Sequence, residues 1–295
     1  MSALLNGQVV AAFGRQYLVR LDDGSTIACL TRGKKSEMAC GDIVEIRHTG
    51  AASAENEATQ GVIEHIAPRR SLLHRSVAFR EKLIAANVTQ IIVVVATEPS
   101  FSDELLARCL VAAFDQKLDV LIALNKCDLS AAVPAARGRL APYTAIGYRV
   151  LELCAKQDVS ALRPFLRGHT SVLVGQSGMG KSTLINALIP GAQAVTREIS
   201  AVLDSGKHTT THARLYQIDV DSKLIDCPGV QAFGLHHLSF GGIEQGFVEF
   251  APYLGQCRFH DCRHAQEPGC ALSDAVAAGK IAARRLELFQ KIAGK

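Results

Sequence analysis

The sequence predicts a multidomain α/β chain, and three observations predict it. Residues 1–67 carry five short β-rich runs and no helical period. Residues 68–230 alternate apolar strands with helical stretches. Residues 231–295 turn helical and polar around a cluster of cysteine and histidine. With 295 residues and 48% hydrophobic composition, the chain can fill two or three sizeable cores.

The β-rich runs lie at 9–10, 17–21, 26–30, 43–47 and 62–66. In the fourth, Val44 and Ile46 alternate with Glu45 and Arg47, the period of a half-buried strand. Asp22-Asp23-Gly24 is a hairpin signal. Five short strands in this length predict a small barrel of the OB type. Residues 48–59, rich in Ala, Ser, Glu and Asn, read as a loop.

No apolar run approaches the roughly 20 residues that span a bilayer. The first residues lack a charged start and a long apolar stretch, so a soluble cytosolic protein is expected. The net charge is only +4, less than a dedicated nucleic-acid binder often carries. It is unevenly placed: Arg69, Arg70, Arg75, Arg80 and Lys82 stand against Glu81 alone between residues 68 and 90. Residues 1–67 hold six Lys/Arg against eight Asp/Glu, so any RNA contact must be local or rest on shape and backbone donors. Nine cysteines, an odd count, argue against a disulfide framework.

Strands are expected at 91–96, 120–124, 148–153 and 171–174, with helices at 103–116, at 159–166 and from Lys181 onward. The run 91–96 is apolar throughout, as in a strand covered on both faces. A hairpin is expected from 213–220 and 223–226 around Asp221-Ser222.

Gly175-Gln176-Ser177-Gly178-Met179-Gly180-Lys181-Ser182-Thr183 matches G-x-x-x-x-G-K-[ST] between a predicted strand and a predicted helix, the context that motif requires. Its glycines let backbone N–H groups converge on phosphate oxygens, and the helix N-terminus adds partial positive charge. Lys181 is expected to bridge the β- and γ-phosphates, and the Ser182 hydroxyl to bind Mg²⁺. Asn125-Lys126-Cys127-Asp128 directly follows a predicted strand. Guanine offers two donors that a carboxylate at Asp128 can accept, whereas adenine offers an acceptor there. Asn125 is expected to address the other edge of the base, and the Lys126 stem to cover its face. Cys154-Ala155-Lys156, also after a strand, resembles the Ser-Ala-Lys base-contacting motif of GTPases. Asp226-Cys227-Pro228-Gly229 matches D-x-P-G, with Asp226 holding Mg²⁺ through water and the Gly229 amide meeting the γ-phosphate.

Upstream, Gly206-Lys207-His208-Thr209-Thr210-Thr211 reads as a polar loop supplying a Mg²⁺ ligand. Spacing favours Thr210 or Thr211 without choosing between them. Val230 follows the D-x-P-G glycine and cannot orient water, so hydrolysis needs another group. Gln231 is adjacent, but His208 is the better candidate, since an imidazole accepts from water at neutral pH. The base reader precedes the phosphate loop by about fifty residues, the reverse of ordinary GTPase order. The segment after Gly229 is therefore joined directly to the C-terminal domain, and the γ-phosphate state is expected to travel along that link.

Cys257-x4-Cys262-x-His264-x5-Cys270 puts three thiolates and an imidazole within fourteen residues, a set suited to tetrahedral Zn²⁺. A closed set leaves no open position, so the metal is structural. His260 is the second-choice nitrogen ligand. Beyond it, Lys280, Arg284 and Lys291 recur at helical spacing with Glu287 between and Arg285 beside them; the row reads as a solvated face or as a contact for RNA phosphate.

Together these residues make the chain multidomain α/β: an N-terminal OB-type β-barrel, a circularly permuted P-loop GTPase domain and a C-terminal helical zinc-binding domain. The motif order, with the barrel before it and the Cys₃His set after it, resembles the RsgA/YjeQ family of GTPases over nearly the whole chain. The resemblance implies an RNA-binding barrel at 1–67, a GTPase domain at 68–230 and a zinc domain at 231–295. It implies GTP and GDP as ligands, Mg²⁺ with GTP, and one structural Zn²⁺. It further implies late maturation of the small ribosomal subunit through contact with its rRNA, GTP hydrolysis stimulated by that particle, and a catalytic role for His208. A cytoplasmic monomer with no membrane partner is the matching expectation. The competing readings are a nucleotide-gated RNA-binding module with incidental hydrolysis, and a permuted GTPase of large-subunit assembly; the barrel and the Cys₃His set count against the second.

Overall fold

A computed structural model describes residues 4–13, 16–31, 38–49, 61–77, 80–192, 213–227 and 233–294. The first five strands are β1 (Leu4–Phe13), β2 (Gln16–Leu21), β3 (Thr26–Thr31), β4 (Ile43–His48) and β5 (Gly61–Ile66). They run in the order β1-β2-β3-β5-β4, and β4 returns to pair with β1, which closes the barrel. β3 and β5 are parallel; the other barrel pairs are antiparallel. The alternation read in β4 is real: Val44 and Ile46 are fully buried while Ile43 and Glu45 are exposed. With Val9, Tyr17, Val19, Ile27, Cys29 and Ile63 they form the barrel's own core.

β1 has a second partner. A register shift between Val9 and Ala11 bends it, and Ala11 pairs with Arg214 of β12 (Arg214–Gln217). The barrel is thereby continuous with the central sheet. Besides β12, that sheet holds β8 (Gln90–Ala96), β9 (Asp119–Asn125), β10 (Arg149–Glu152), β11 (Thr170–Val174) and β13 (Lys223–Asp226). Their order is β10-β9-β8-β11-β13-β12. All pair in parallel except β12, which turns back on β13. Every residue of β8 is buried, as the apolar run demands.

Helices α1 (Asp103–Asp115), α2 (Val133–Ala145), α3 (Arg163–Leu166) and α4 (Lys181–Leu188) connect these strands. The helix expected at 159–166 is a 3₁₀ turn, Ser160–Leu162, running into α3. Arg163 and Pro164 set the start of α3, where the missing proline N–H costs nothing.

The basic stretch holds an element that sequence periodicity does not reveal: a separate antiparallel hairpin of β6 (Leu72–Val77) and β7 (Arg80–Ala86). Leu73, Ile84 and Ala85 anchor it in the main core. Arg69, ahead of it, is bound two-pronged by the fully buried Asp42, at 2.7 and 2.8 Å, so this cation locks the barrel to the hairpin.

The C-terminal part comprises α5 (Phe240–Gln245), a 3₁₀ stretch Val248–Tyr253, the cysteine–histidine segment, α6 (Ala271–Ala277) and α7 (Ala283–Ala293). Phe247, Phe250 and Phe289 pack edge and face with centroids 5.1–5.5 Å apart. In the basic row, Arg284 and Lys291 stay largely exposed while forming ion pairs across to α1. Arg284 pairs with Glu287 and with Asp103 of α1, and Lys291 reaches Glu104 of α1 at 2.7 Å. Arg285 points inward: it is 2% exposed, bound to Glu249 and laid over the rings of Phe247 and Tyr143. Among the described residues, no helix is long and apolar enough to cross a membrane.

Candidate nucleotide site and metal cluster

The chain leaves β8 toward β9 and β10 on one side and returns to β11 on the other, so a topological switch point lies between β8 and β11. Ligands of open α/β sheets bind at the carboxyl edge of such a point. The phosphate loop leaves β11 there. Gly175 has φ 151°, and a Cβ on it would lie 2.2 Å from the Val94 carbonyl oxygen of β8, so only glycine lets the loop start so close to the sheet. Gly180 has φ 91°, and its Cβ would strike Asn125 Nδ2 at 2.3 Å. That contact joins the phosphate loop to the base-reading motif.

Asn125 is 2% exposed and serves both loops. Its Nδ2 donates to the Met179 carbonyl at 2.9 Å, and its Oδ1 accepts from the Ala155 N–H at 2.9 Å. Its amide staples the three loops together. Lys126, at φ 64°, reaches across to the Glu98 carbonyl at 2.7 Å, while Thr97 Oγ1 donates to the Lys126 carbonyl. The Cys127 N–H continues the sheet ladder onto Leu153. Asp128 is exposed, and Cys154 Sγ donates to its Oδ1 at 3.1 Å. The cysteine in place of serine thus keeps a donor on the carboxylate. The rest of this motif flanks that contact, Ala155 buried and Lys156 exposed.

In the phosphate loop, Lys181 Nζ donates to the carbonyls of Gly175 and Gln176 at 2.6 and 2.8 Å. Burial pushes its pKa down, against the pull of Asp226. Burial likewise pushes the Asp226 carboxyl up, against Lys181 and Arg214. Desolvation outweighs attraction for both groups. Gln176 Oε1 accepts from the Ser102 N–H at 2.6 Å, and Ser102 caps α1 through Leu105. Met179 is buried; Ser177, Gly178 and Ser182 face outward, and Thr183 is half-buried. His208, Thr209, Thr210, Thr211, Gly229 and Val230 lie outside the described residues.

Cys257, Cys262, His264 and Cys270 converge, with ligand atoms all within 4.8 Å of one another. His264 Nδ1 lies 3.5, 3.6 and 3.3 Å from the three sulfurs. A tetrahedral ion with N and S ligands at their usual bond lengths needs about 3.6 Å between such atoms, so the cluster fits a metal ion of that kind. His264 is 4% exposed and sits at φ 58°, whereas His260 is exposed and outside the cluster. Two neighbours of the cluster escape sequence reasoning. Glu267 folds back on its own turn and accepts the N–H groups of Arg263, Ala265 and Gln266, which hold its carboxyl down at about 2. Glu244 of α5 meets His264 Nε2 at 2.5 Å. The turn context of the first is a usable signal; the second, twenty residues upstream, carries no local signal.

A phosphate loop at the switch point, with the base-reading motif on an earlier strand of the same sheet, defines a circularly permuted P-loop GTPase. Residues 66–236 match the RsgA GTPase family. The small ribosomal subunit biogenesis GTPase RsgA of Nitrosospira multiformis is 54% identical over 288 residues, covering 98% of this chain and 90% of that protein. Its namesake from Burkholderia pseudomallei is 52% identical, covering 97% and 90%. The crystal structure of YjeQ from Thermotoga maritima aligns with TM-score 0.73 at 29% identity, covering 99% of this chain and 98% of that one. The chain belongs to the RsgA GTPase family.

Proposed function

We propose that this chain hydrolyses GTP to GDP and phosphate in the biogenesis of the small ribosomal subunit, binding that subunit and its rRNA late in maturation and turning over faster on it. One observation carries the reading: Asn125 clamps the base reader and the phosphate loop into a single cradle in a chain whose close relatives are named for this process. Asp128 reads the guanine donors, held by Cys154, with Lys126, Cys127, Ala155 and Lys156 around the base. Residues Gly175 to Thr183 receive the phosphates. Ser182 and Asp226 hold Mg²⁺, with Thr210 or Thr211 and the Gly229 amide at the γ-phosphate. His208 orients the attacking water. Cys257, Cys262, His264 and Cys270 hold one structural Zn²⁺. The barrel at 1–67, the GTPase unit at 68–230 and the metal-bearing unit at 231–295 act in one cytoplasmic monomer.

The deciding experiment is GTP turnover with purified small subunits, large subunits or neither. Stimulation by small subunits alone is expected; equal rates in all three contradict the proposal. His208→Ala is expected to keep GTP affinity and lose about 100-fold or more in turnover, the usual contribution of a positioned base.

A further inference from the structure

We propose that Glu244 is the carboxylate that fixes His264 as a metal ligand, and that it anchors the metal cluster to α5. The inference rests on the reading of the cluster as a zinc site. An imidazole can ligate through either nitrogen, and the hydrogen bond at the other nitrogen decides which. Here Nδ1 faces the three sulfurs, and Nε2 lies 2.5 Å from Glu244 Oε1. A carboxylate accepts, so the proton sits on Nε2 and the lone pair of Nδ1 faces the ion. Both side chains are shielded, His264 to 5% and Glu244 to 18% exposure, which strengthens the bond by excluding water.

The same helix holds the ring by its plane. Phe240, four residues before Glu244 on α5, stacks on His264 with centroids 6.3 Å apart and an interplanar angle of 13°. Phe289 of α7 tilts against the ring at 5.9 Å. The other acids near the cluster are turned elsewhere, since Glu267 is bound to backbone N–H groups and Asp261 is exposed. The end of α5 is pressed onto α1, where a Cβ on Gly246 would meet Val111 at 2.9 Å. The carboxylate that orients the ligand thus stands on a helix seated against the nucleotide-binding unit.

The test uses the full chain. Metal analysis of the native protein comes first: one zinc per chain is expected, and none sinks the zinc reading itself. Zinc affinity is then measured by competition with a chromophoric chelator. Glu244→Ala and Glu244→Asp are expected to lower it 10- to 100-fold, the usual effect of removing such a partner. Glu244→Gln, whose amide oxygen still accepts, is expected to lose less. Nitrogen-15 spectra of His264 supply a readout that a general loosening of α5 leaves unchanged: Nδ1 metal-bound and Nε2 protonated in the native and Gln forms. If native protein holds zinc and the Asp variant binds within twofold of it, or if Nε2 is the metal-bound nitrogen, the proposal is overturned. The Gln and Asp pair decides the matter even if Glu244→Ala does not fold.

Discussion

The nucleotide cradle and the metal cluster both hold polar groups in a fixed array, by opposite means. In the cradle, strands buried on both faces carry the loops, and side chains such as Asn125 tie one loop's backbone to another's. In the cluster, four side chains within fourteen residues face one another, surrounded by exposed Arg258, Phe259, Asp261 and Arg263. The sheet can lose a loop contact and keep its fold. The cysteine–histidine segment rests on Phe240 and Phe289 through His264 while its connecting residues are exposed, so a metal held by the four side chains would carry much of its local fold.

Removing the metal is the largest test of that contrast. A strong chelator, or Cys270→Ser, is expected to raise amide exchange across residues 257–270 on the order of 1000-fold, because structural zinc supplies about 10–16 kcal/mol in small domains. GTP affinity is expected to change less than about tenfold, read by fluorescent-nucleotide titration. An equal collapse of both would break the comparison. Asn125→Ala tests the cradle. It strands the buried Met179 carbonyl and Ala155 N–H at about 1–3 kcal/mol each, so GTP affinity is expected to fall roughly 30-fold or more while circular dichroism stays native. Cys154→Ala is the smallest change. Losing one donor to Asp128 is expected to weaken guanine-nucleotide binding by up to about tenfold, and Cys154→Ser to restore it. Equal binding by all three forms would remove that thiol from the site.

Legibility follows the range of the interaction. The alternation of β4 and the apolar run of β8 report burial residue by residue, so both strands are visible in the sequence. Glycines at the phosphate loop announce themselves because a backbone next to a sheet tolerates no Cβ. The hairpin of β6 and β7 is hidden, since its apolar residues are interrupted by charge and its anchor is the distant core. The row on α7 is opaque for the same reason: spacing shows that Arg284 and Lys291 share a face, but not that Asp103 and Glu104 wait across from them. Asn125 and Glu244 act through partners 30 and 20 residues or more away, and spacing along the chain does not name such partners.

The double partnership of β1 bears on how the chain is made. Its Ala11 pairs with Arg214, which leaves the ribosome roughly 200 residues later, or about 10–40 s at ordinary synthesis rates. Through that interval the β1 backbone at Ala11 lacks the partner that β12 later supplies. Permutation places the strand that completes the sheet late in the chain, so the seam between barrel and nucleotide-binding unit is among the last parts of the molecule to be closed.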